Sequence, residues 1–376
     1  MLYSLIKKSN CEKINNYDGV LREGYADFYP SIIQIEHTNR CNARCIMCNH
    51  FYTSNRKASE ISFDVIRKIE PILPYCRLIM LNGDGEPFLY SDIGKCINLY
   101  QKYGVKIGTN TNLSYLPDDI LDQINGFEYL NISCDGASKE TFELIRRGLD
   151  FDVFLENLKK INAKAPKVNR ILDCVMMAQN IAELSDIVEL AGEYGCRKVK
   201  FNRMGINPCI GNYNDAIEQY METARENLAA AIETAERIGV LIEYPKDLLE
   251  SQSKDCGEIP VYEMMRQEIE ERFRTVCEAM KDTGLDTDYL SGEVSMTDFN
   301  HMWNSGEKCD WAIERCYIDL KGNVTMCCYN TRKRMGSLKE CSFEEIWNGE
   351  LYREFRRQMY NGKLPIWCRE CNWLKN

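Results

Sequence analysis

The sequence predicts an α/β fold in which strand–helix repeats build a parallel sheet, followed by a small cysteine-rich module. Two observations support this class. Residues 31–204 alternate short apolar runs with segments of helical period, and cysteines become dense from Cys309 onward. At 376 residues the chain is long enough for one large domain and a smaller one.

The apolar runs that predict six parallel strands are 31–38, 77–83, 105–110, 128–135, 170–177 and 198–204, with a seventh strand at 240–245. Such a sheet is either an open layer or a curled, partly closed barrel. Both place ligands at the carboxyl ends of the strands.

The segment 180–194 predicts a helix with a capping box, because Asn180 is followed three positions later by Glu183. Its apolar residues recur on one face, and Gly195 marks its end. Residues 212–237 predict a second long helix, and 246–300 are charged and mixed, as in a helical surface insertion.

The bulk composition is that of an ordinary globular protein, with 44% hydrophobic and 28% charged residues. A net charge of −10 disfavours nucleic acid as the main partner. The sequence contains no apolar run long enough to span a bilayer and no signal-peptide pattern at its start, so it predicts a cytoplasmic protein without a membrane partner.

Nineteen cysteines cannot all pair within one chain, and the cytosol keeps thiols reduced, so metal binding is expected for the clustered ones. The scattered cysteines are expected to be small buried apolar side chains: Cys11, Cys76, Cys96, Cys174, Cys196, Cys209, Cys256 and Cys277.

The first cluster, CNARCIMC, directly follows the first predicted strand and contains Cys41, Cys45 and Cys48. Structural metal sites usually have four protein ligands, so three thiols leave one metal position open for chemistry. A zinc site with a distant fourth ligand is the alternative that the spacing permits.

The cysteine motif and three later segments together resemble the radical S-adenosylmethionine (SAM) superfamily. These segments are NGDGEP (82–87), GTNTN (108–112) and SCDGASKETFELIRRG (133–148), each after a predicted strand. The resemblance implies a partial (β/α)6 TIM-like barrel. It also implies that Cys41, Cys45 and Cys48 ligate a [4Fe–4S] cluster whose open iron binds SAM.

The resemblance further implies a set of SAM-binding residues. Glu86 and the nearby backbone would hold the amino group, Asn110 would contact the ribose or the backbone, and Ser133 and Arg146 would meet the carboxylate. Arg147 is the alternative to Arg146, and Asp84 stands where the family commonly has a second glycine. The complete implied set is Gly83, Gly85, Glu86, Asn110, Ser133 and Arg146.

The C-terminal segment resembles the SPASM/twitch extension of radical SAM enzymes, which holds an auxiliary [4Fe–4S] cluster. Its features are a hairpin turning at Gly322, a terminal CxxC and a connecting helix with Phe343, Ile346 and Trp347 buried. The implied ligands are Cys309, Cys327, Cys368 and Cys371. Cys316 could replace Cys309, Cys328 could replace Cys327, Cys341 is a further candidate, and a zinc ribbon is the competing interpretation.

The predicted organisation is an N-terminal extension (1–30), a radical SAM core (31–205), a helical insertion (206–300) and the auxiliary-cluster domain (301–376). The predicted reaction is SAM cleavage followed by two-electron oxidation of a sugar or aminocyclitol-like substrate, with flavodoxin or ferredoxin as electron donor.

Other outcomes remain open from the sequence. They are peptide modification, epimerisation with Cys209 or Cys316 as hydrogen donor, and a zinc-stabilised scaffold without catalysis. Arg203, Asp173 and Asp135 are candidates for accepting a proton, and the sequence does not choose among them.

Overall fold

A computed structural model describes residues 2–16, 22–48, 50, 57–205, 212–249, 309, 311, 313–328 and 334–361. The chain divides into two compact units. The first unit comprises Met1–Arg40, Ala58–Thr109 and Asp286–Asn376, and the second comprises Cys41–Lys57 and Asn110–Leu285.

The described strands are β1 (Ile32–Ile35), β2 (Leu78–Met80), β3 (Lys106–Thr111), β4 (Tyr129–Ser133), β5 (Asn169–Met176), β6 (Lys198–Arg203), β7 (Leu241–Glu243), β8 (Arg315–Ile318), β9 (Asn323–Thr325) and β10 (Arg334–Ser337). The described α-helices are α1 (Leu2–Asn15), α2 (Phe63–Arg67), α3 (Ile93–Lys102), α4 (Leu121–Ile124), α5 (Lys139–Ile145), α6 (Phe151–Lys164), α7 (Leu184–Glu193), α8 (Met221–Ile238), α9 (Phe343–Trp347) and α10 (Glu350–Tyr360). All seven strands predicted up to residue 245 are confirmed.

The sheet of the first unit has the strand order β10-β9-β8-β1-β2-β3. β1 is parallel to β2 and also to β8, so Ile33 lies between Ile79 and Cys316. The predicted hairpin is confirmed by antiparallel β8 and β9, with Gly322 at a φ of 80° in its turn. Glycine suits this turn because other residues rarely adopt positive φ.

Helix α9 carries the apolar residues of the predicted connecting helix. Phe343, Ile346 and Trp347 are buried, which confirms the prediction. The segment forms two helices rather than one, because the chain turns at Gly349, where a Cβ would lie 2.8 Å from the Glu345 carbonyl oxygen. Arg356 stacks on Trp347, with its guanidinium carbon 4.4 Å from a ring centroid of the indole.

The second unit contains the parallel strands β4-β5-β6-β7 in that order. Along β5, buried and half-buried residues alternate, so one face of this strand is packed and the other is partly open. The packed face includes Leu172 and Cys174, and aromatic residues of the helices, such as Phe142 and Phe154 with ring centroids 4.8 Å apart, complete the core.

The capping box predicted at Asn180 and Glu183 is wrong. Asn180 makes no cap hydrogen bond; its Nδ2 donates to the carbonyls of Asp135 and Val175 instead. Glu183 accepts from the backbone N–H groups of Ala137 and Ser138, and so satisfies the start of α5. Local sequence spacing could not show that this carboxylate serves another helix.

No helix among the described residues is both long and apolar enough to cross a membrane. Most of the predicted insertion, including 250–300, lies outside the described residues, and so do the predicted cluster ligands Cys368 and Cys371.

Candidate functional site

The cysteine loop of the second unit is held by main-chain hydrogen bonds to the end of α5. Arg44 N donates to Arg147 O at 2.7 Å, and Ile46 N donates to Ile145 O at 3.0 Å. These bonds flank Cys45, which is buried, whereas Cys41 is exposed and Cys48 is half-buried. The loop therefore places its three thiols at different depths from the surface.

Two side chains direct N–H groups at the sulfur atoms of this loop. Asn112 Nδ2 lies 4.0 Å from Cys41 Sγ, and Arg146 Nη1 lies 3.7 Å from Cys45 Sγ. Burial raises the pKa of Cys45, and the positive charge of Arg146 opposes that rise. N–H donors at cysteine sulfurs suit thiolates that bind an iron–sulfur cluster, so these residues fit the predicted cofactor.

Asn112 was not singled out from the sequence, although it belongs to the GTNTN segment. Its role depends on Asn42 and Ser114, which hold its amide: Asn112 Nδ2 donates to Asn42 Oδ1 at 2.9 Å, and Asn112 Oδ1 accepts from Ser114 Oγ at 2.6 Å. The motif alone could have indicated this asparagine, since it lies two positions beyond Asn110.

Arg146 is engaged inside the protein. Its Nη2 forms an ion pair at 2.6 Å with Asp135 Oδ2, and both side chains are nearly shielded from solvent. Burial alone would lower the pKa of Arg146, but the neighbouring groups, of which Asp135 has the largest effect, raise it overall, so the guanidinium remains charged. The neighbouring Arg147, the alternative partner for the SAM carboxylate, is exposed.

The half-buried face of the second unit's sheet carries polar side chains. Ser133 and Asp173 lie side by side in β4 and β5, and Asp173 is also paired in register with Lys200 of β6. Asn131 Nδ2 donates to Asn110 Oδ1 at 3.1 Å. The structure therefore brings the predicted residues Asn110 and Ser133 to one polar face, together with Asp173 and with Asn131 and Lys200, which lie outside the sequence motifs.

Of the three candidate proton acceptors, Asp173 forms no ion pair with the residues that the structure describes; its Oδ1 accepts a hydrogen bond from Asn202 Nδ2. Burial raises its pKa, and Lys200 opposes the rise. Asp135 is paired with Arg146, and Arg203 forms ion pairs with Glu218 at 3.2 Å and Asp247 at 2.5 Å.

The GDGEP loop of the first unit is packed tightly against the segment that follows β1. A Cβ on Gly85 would lie 2.7 Å from the Arg40 carbonyl oxygen, and Glu86 N donates to that same oxygen at 2.8 Å. The buried Glu86 carboxylate accepts from Phe88 N at 3.3 Å. Asp84 N donates to Glu36 Oε1 at 3.4 Å, so a buried glutamate outside the sequence motifs supports the loop.

The described cysteines of the auxiliary module differ in exposure. Cys327 and Cys328 follow β9 and are half-buried, as is Cys309, whereas Cys341 is exposed and Cys316 is buried within β8. Tyr317, next to Cys316, is hydrogen-bonded to Glu36, and burial raises its pKa.

Among the described residues, no three His, Cys, Asp or Glu side chains are grouped closely enough to hold a metal ion. The ligand sets predicted for both clusters therefore stay predictions.

Several scattered cysteines are packed as expected. Cys76, Cys96, Cys174 and Cys196 are buried, and burial raises the pKa of Cys76, Cys96 and Cys196 to about 12. Cys11 is half-buried rather than buried. Cys209, Cys256 and Cys277 lie outside the described residues.

Comparison with protein-family models gives two matches. The model of the radical SAM superfamily matches residues 35–191, and the model of the SPASM iron–sulfur cluster-binding domain matches residues 309–372.

Curated relatives match a part of the chain. GTP 3',8-cyclase of Clostridium botulinum is 27% identical over 175 residues, which cover 43% of this chain and 53% of that protein. Molybdenum cofactor biosynthesis protein 1 of Dictyostelium discoideum is 31% identical over 194 residues, 48% of this chain and 29% of that protein. The chain thus spans about half the length of the first of these relatives and less of the second.

Solved structures match over most of the chain. SuiB of Streptococcus suis bound to S-adenosylmethionine has a TM-score of 0.59 at 13% identity, covering 98% of this chain and 76% of SuiB. The anSMEcpe protein with bound AdoMet has a TM-score of 0.57 at 17% identity, covering 92% of this chain and 84% of its own. These likenesses confirm the predicted α/β fold class, a partial barrel with a small C-terminal cluster-binding domain.

Proposed function

Because the chain belongs to the radical SAM superfamily and carries a SPASM domain, we propose that it removes two electrons from its substrate by radical chemistry. Its cofactors are [4Fe–4S] clusters and S-adenosylmethionine. When bound, a reduced cluster supplies the electron that breaks a carbon–sulfur bond of SAM, and the adenosyl radical takes a hydrogen atom from substrate.

The observation that carries the proposal is the cysteine loop held around Cys45. Cys41, Cys45 and Cys48 would hold the cluster, with main-chain bonds at Arg44 and Ile46 fixing the loop on both sides of Cys45. The polypeptide supplies three thiols here, and the open metal position is left to SAM.

The auxiliary cluster would accept the second electron. Cys309, Cys327, Cys368 and Cys371 would ligate it, and a site fully ligated by cysteines transfers electrons without binding substrate. Its module is joined to the sheet of the first unit, since β8 runs parallel to β1. A flavodoxin or ferredoxin would reduce the first cluster.

Two substrate classes are candidates. A sugar-like or aminocyclitol alcohol is the class predicted from the sequence. A peptide is the second, because structures of similar fold were solved with bound peptides, SuiB with SuiA and anSMEcpe with Cp18Cys. That likeness concerns the fold, so the two classes must be separated by assay.

The test is an assay of SAM cleavage by anaerobically purified protein reconstituted with iron and sulfide. We expect about eight irons per chain from two four-iron clusters. On addition of dithionite and SAM, the protein should release 5′-deoxyadenosine. Cys45→Ala should abolish this release, whereas Cys11→Ala, a change in α1 outside the site, should retain it.

Substrate candidates are then added to the active protein. An oxidised sugar or peptide is lighter by two hydrogen atoms, which mass spectrometry detects. Colourless protein with tightly bound zinc and no 5′-deoxyadenosine would contradict the proposal and favour the zinc scaffold.

A further inference from the structure

The loop that carries Cys45 depends on the residues just after α5. The main chain of Ile145 and Arg147 accepts the two hydrogen bonds from the loop, and Arg146 lies between them. Gly148, at a φ of 88°, turns the chain away, and a Cβ there would lie 3.2 Å from Asn42 O. The backbone thus fixes the position of Arg146 relative to Cys45.

The side chain of Arg146 is oriented by Asp135. One guanidinium nitrogen, Nη2, pairs with Asp135 Oδ2 at 2.6 Å, and the other, Nη1, lies 3.7 Å from Cys45 Sγ. Asp135 is itself fixed, because its Oδ1 accepts from Val175 N at 2.7 Å and its carbonyl accepts from Asn180 at 3.0 Å.

We propose that Arg146, oriented by Asp135, is a positioning residue for Cys45 and stabilises the reduced state of the cluster that Cys45 binds. This inference rests on the proposed function, since it takes Cys45 to be a cluster ligand. It differs from the role implied by the sequence resemblance, in which Arg146 would bind the SAM carboxylate.

The physical reason is electrostatic. Reduction adds negative charge to a cluster, and a buried cation that donates a hydrogen bond to a ligating sulfur stabilises this charge. Low exposure strengthens the effect because little water screens it; the Arg146 side chain is 9% exposed. Nη1 directs an N–H group at Cys45 Sγ and Nη2 pairs with Asp135, so the positive charge lies beside the ligating sulfur even though Nε has no hydrogen-bond partner among the described residues.

The test compares Arg146→Gln with the wild-type holoprotein by redox potentiometry followed by EPR. The signal that changes when SAM is added identifies the relevant cluster. We expect the midpoint potential of that cluster to fall by about 59 mV or more, a tenfold loss of the reduced form at fixed potential. The SAM dissociation constant, read from the same spectra, should stay close to that of wild type.

Three other variants sharpen the result. Arg237→Gln removes an exposed arginine of the second unit and should leave the potential unchanged. Asp135→Asn should not lower the potential as far as Arg146→Gln, because it keeps the guanidinium and also removes a negative charge. Arg146→Lys keeps the positive charge and tests the role if Arg146→Gln fails to fold; its potential should lie between those of wild type and Arg146→Gln.

An unchanged potential with a tenfold or greater rise in the SAM dissociation constant, about 1.4 kcal/mol, would overturn the proposal and restore the carboxylate-binding role. Failure of the proposed function looks different, because the wild-type protein itself would then bind no SAM-sensitive cluster and release no 5′-deoxyadenosine.

Discussion

Ile33 in β1 lies directly beside Cys316 in β8, in the parallel ladder that joins the C-terminal hairpin to the sheet of the first unit. Cys316 is fully buried there, and burial raises the pKa of its thiol. To bind a cluster, the Cys316 thiolate would have to leave its packed position in the sheet. Cys316 is therefore a poor substitute for Cys309 and a poor hydrogen donor for epimerisation.

We expect Cys316→Ala to keep the full iron content, about eight irons per chain, and to lose only about 1 kcal/mol of stability from the small cavity. Cys327→Ala should lose about half of the iron, because one of the two clusters cannot form. Iron analysis after anaerobic reconstitution measures both.

Cys11→Ala, which changes a cysteine of α1 outside the module, is the control and should retain its iron. Cys328→Ala distinguishes the two adjacent thiols. An iron content that falls as far in Cys316→Ala as in Cys327→Ala would make Cys316 a ligand.

Gly85 permits a backbone approach that a larger residue would prevent. Its missing Cβ would lie 2.7 Å from the Arg40 carbonyl oxygen and 2.9 Å from the Asn39 carbonyl carbon. Both contacts are with backbone, which cannot rotate aside. We expect Gly85→Ala to displace the GDGEP loop and to weaken SAM binding tenfold or more, as measured by equilibrium binding to the reconstituted protein.

Gly205→Ala is the matched control, since no atom of the described residues lies within 4 Å of a Cβ built there. It should bind SAM as the wild type does. Equal affinity in both variants would show that the GDGEP loop does not contribute to SAM binding.

The sequence predicts the strands well because each apolar run is a local signal that matches a strand buried on one or both faces. It fails where a side chain serves a partner distant in sequence. Glu183 satisfies the start of α5, with Ser138 Oγ donating to it at 2.7 Å, and no spacing rule connects the two. The sequence does not predict β10, because Arg334–Ser337 is short and lacks an apolar run.

For the candidate site, too, the sequence predicts local features but not side-chain partners that are distant in sequence. The motifs predict which segments meet at strand ends, and Asn110 and Ser133 do share one face. The motifs do not predict which side chain forms an ion pair with Arg146. Asp135 and Arg146 are separated in sequence by a helix, and their contact depends on how α5 packs against β4 and β5. Side-chain partners of this kind are set by tertiary packing.

Asp173 is the carboxylate that we expect to accept the proton released when the substrate is oxidised. It lies on the half-buried polar face, and burial raises its pKa, which makes it a stronger base than an exposed aspartate. Asp173→Asn should still release 5′-deoxyadenosine but should form the oxidised product about 100-fold more slowly. Chromatography of the same reaction mixture measures the rates of 5′-deoxyadenosine release and of oxidised product formation separately.

The pH dependence of product formation tests whether Asp173 acts in its deprotonated form. Product formation requires the deprotonated carboxylate, so it should decline on the acid side at a pH above the ordinary aspartate range. Asp186→Asn, at an exposed position in α7, is the control and should preserve both products. Loss of 5′-deoxyadenosine together with product in Asp173→Asn would instead place Asp173 in SAM binding.

His37 makes stability depend on pH. Its ring is fully buried, with Nδ1 2.9 Å from Ile35 O and Nε2 3.0 Å from the Tyr100 hydroxyl. Because a carbonyl only accepts hydrogen bonds, Nδ1 carries the proton and Nε2 accepts from Tyr100. Burial lowers the pKa of His37 to about 4, whereas in the unfolded chain it returns to its usual value of about 6.5.

Between these two values the unfolded chain binds a proton that the folded protein does not, so stability falls as the pH falls. The slope for one group is about 1.4 kcal/mol per pH unit, which gives a loss of about 2 kcal/mol at about pH 5 relative to neutral pH. Urea denaturation of the holoprotein under anaerobic conditions, at about pH 5 and about pH 7.5, measures it. His37→Gln should be less stable at neutral pH but should lose this part of the pH dependence, whereas His50→Gln should keep it. The same acid destabilisation in His37→Gln as in wild type would assign the effect to other groups.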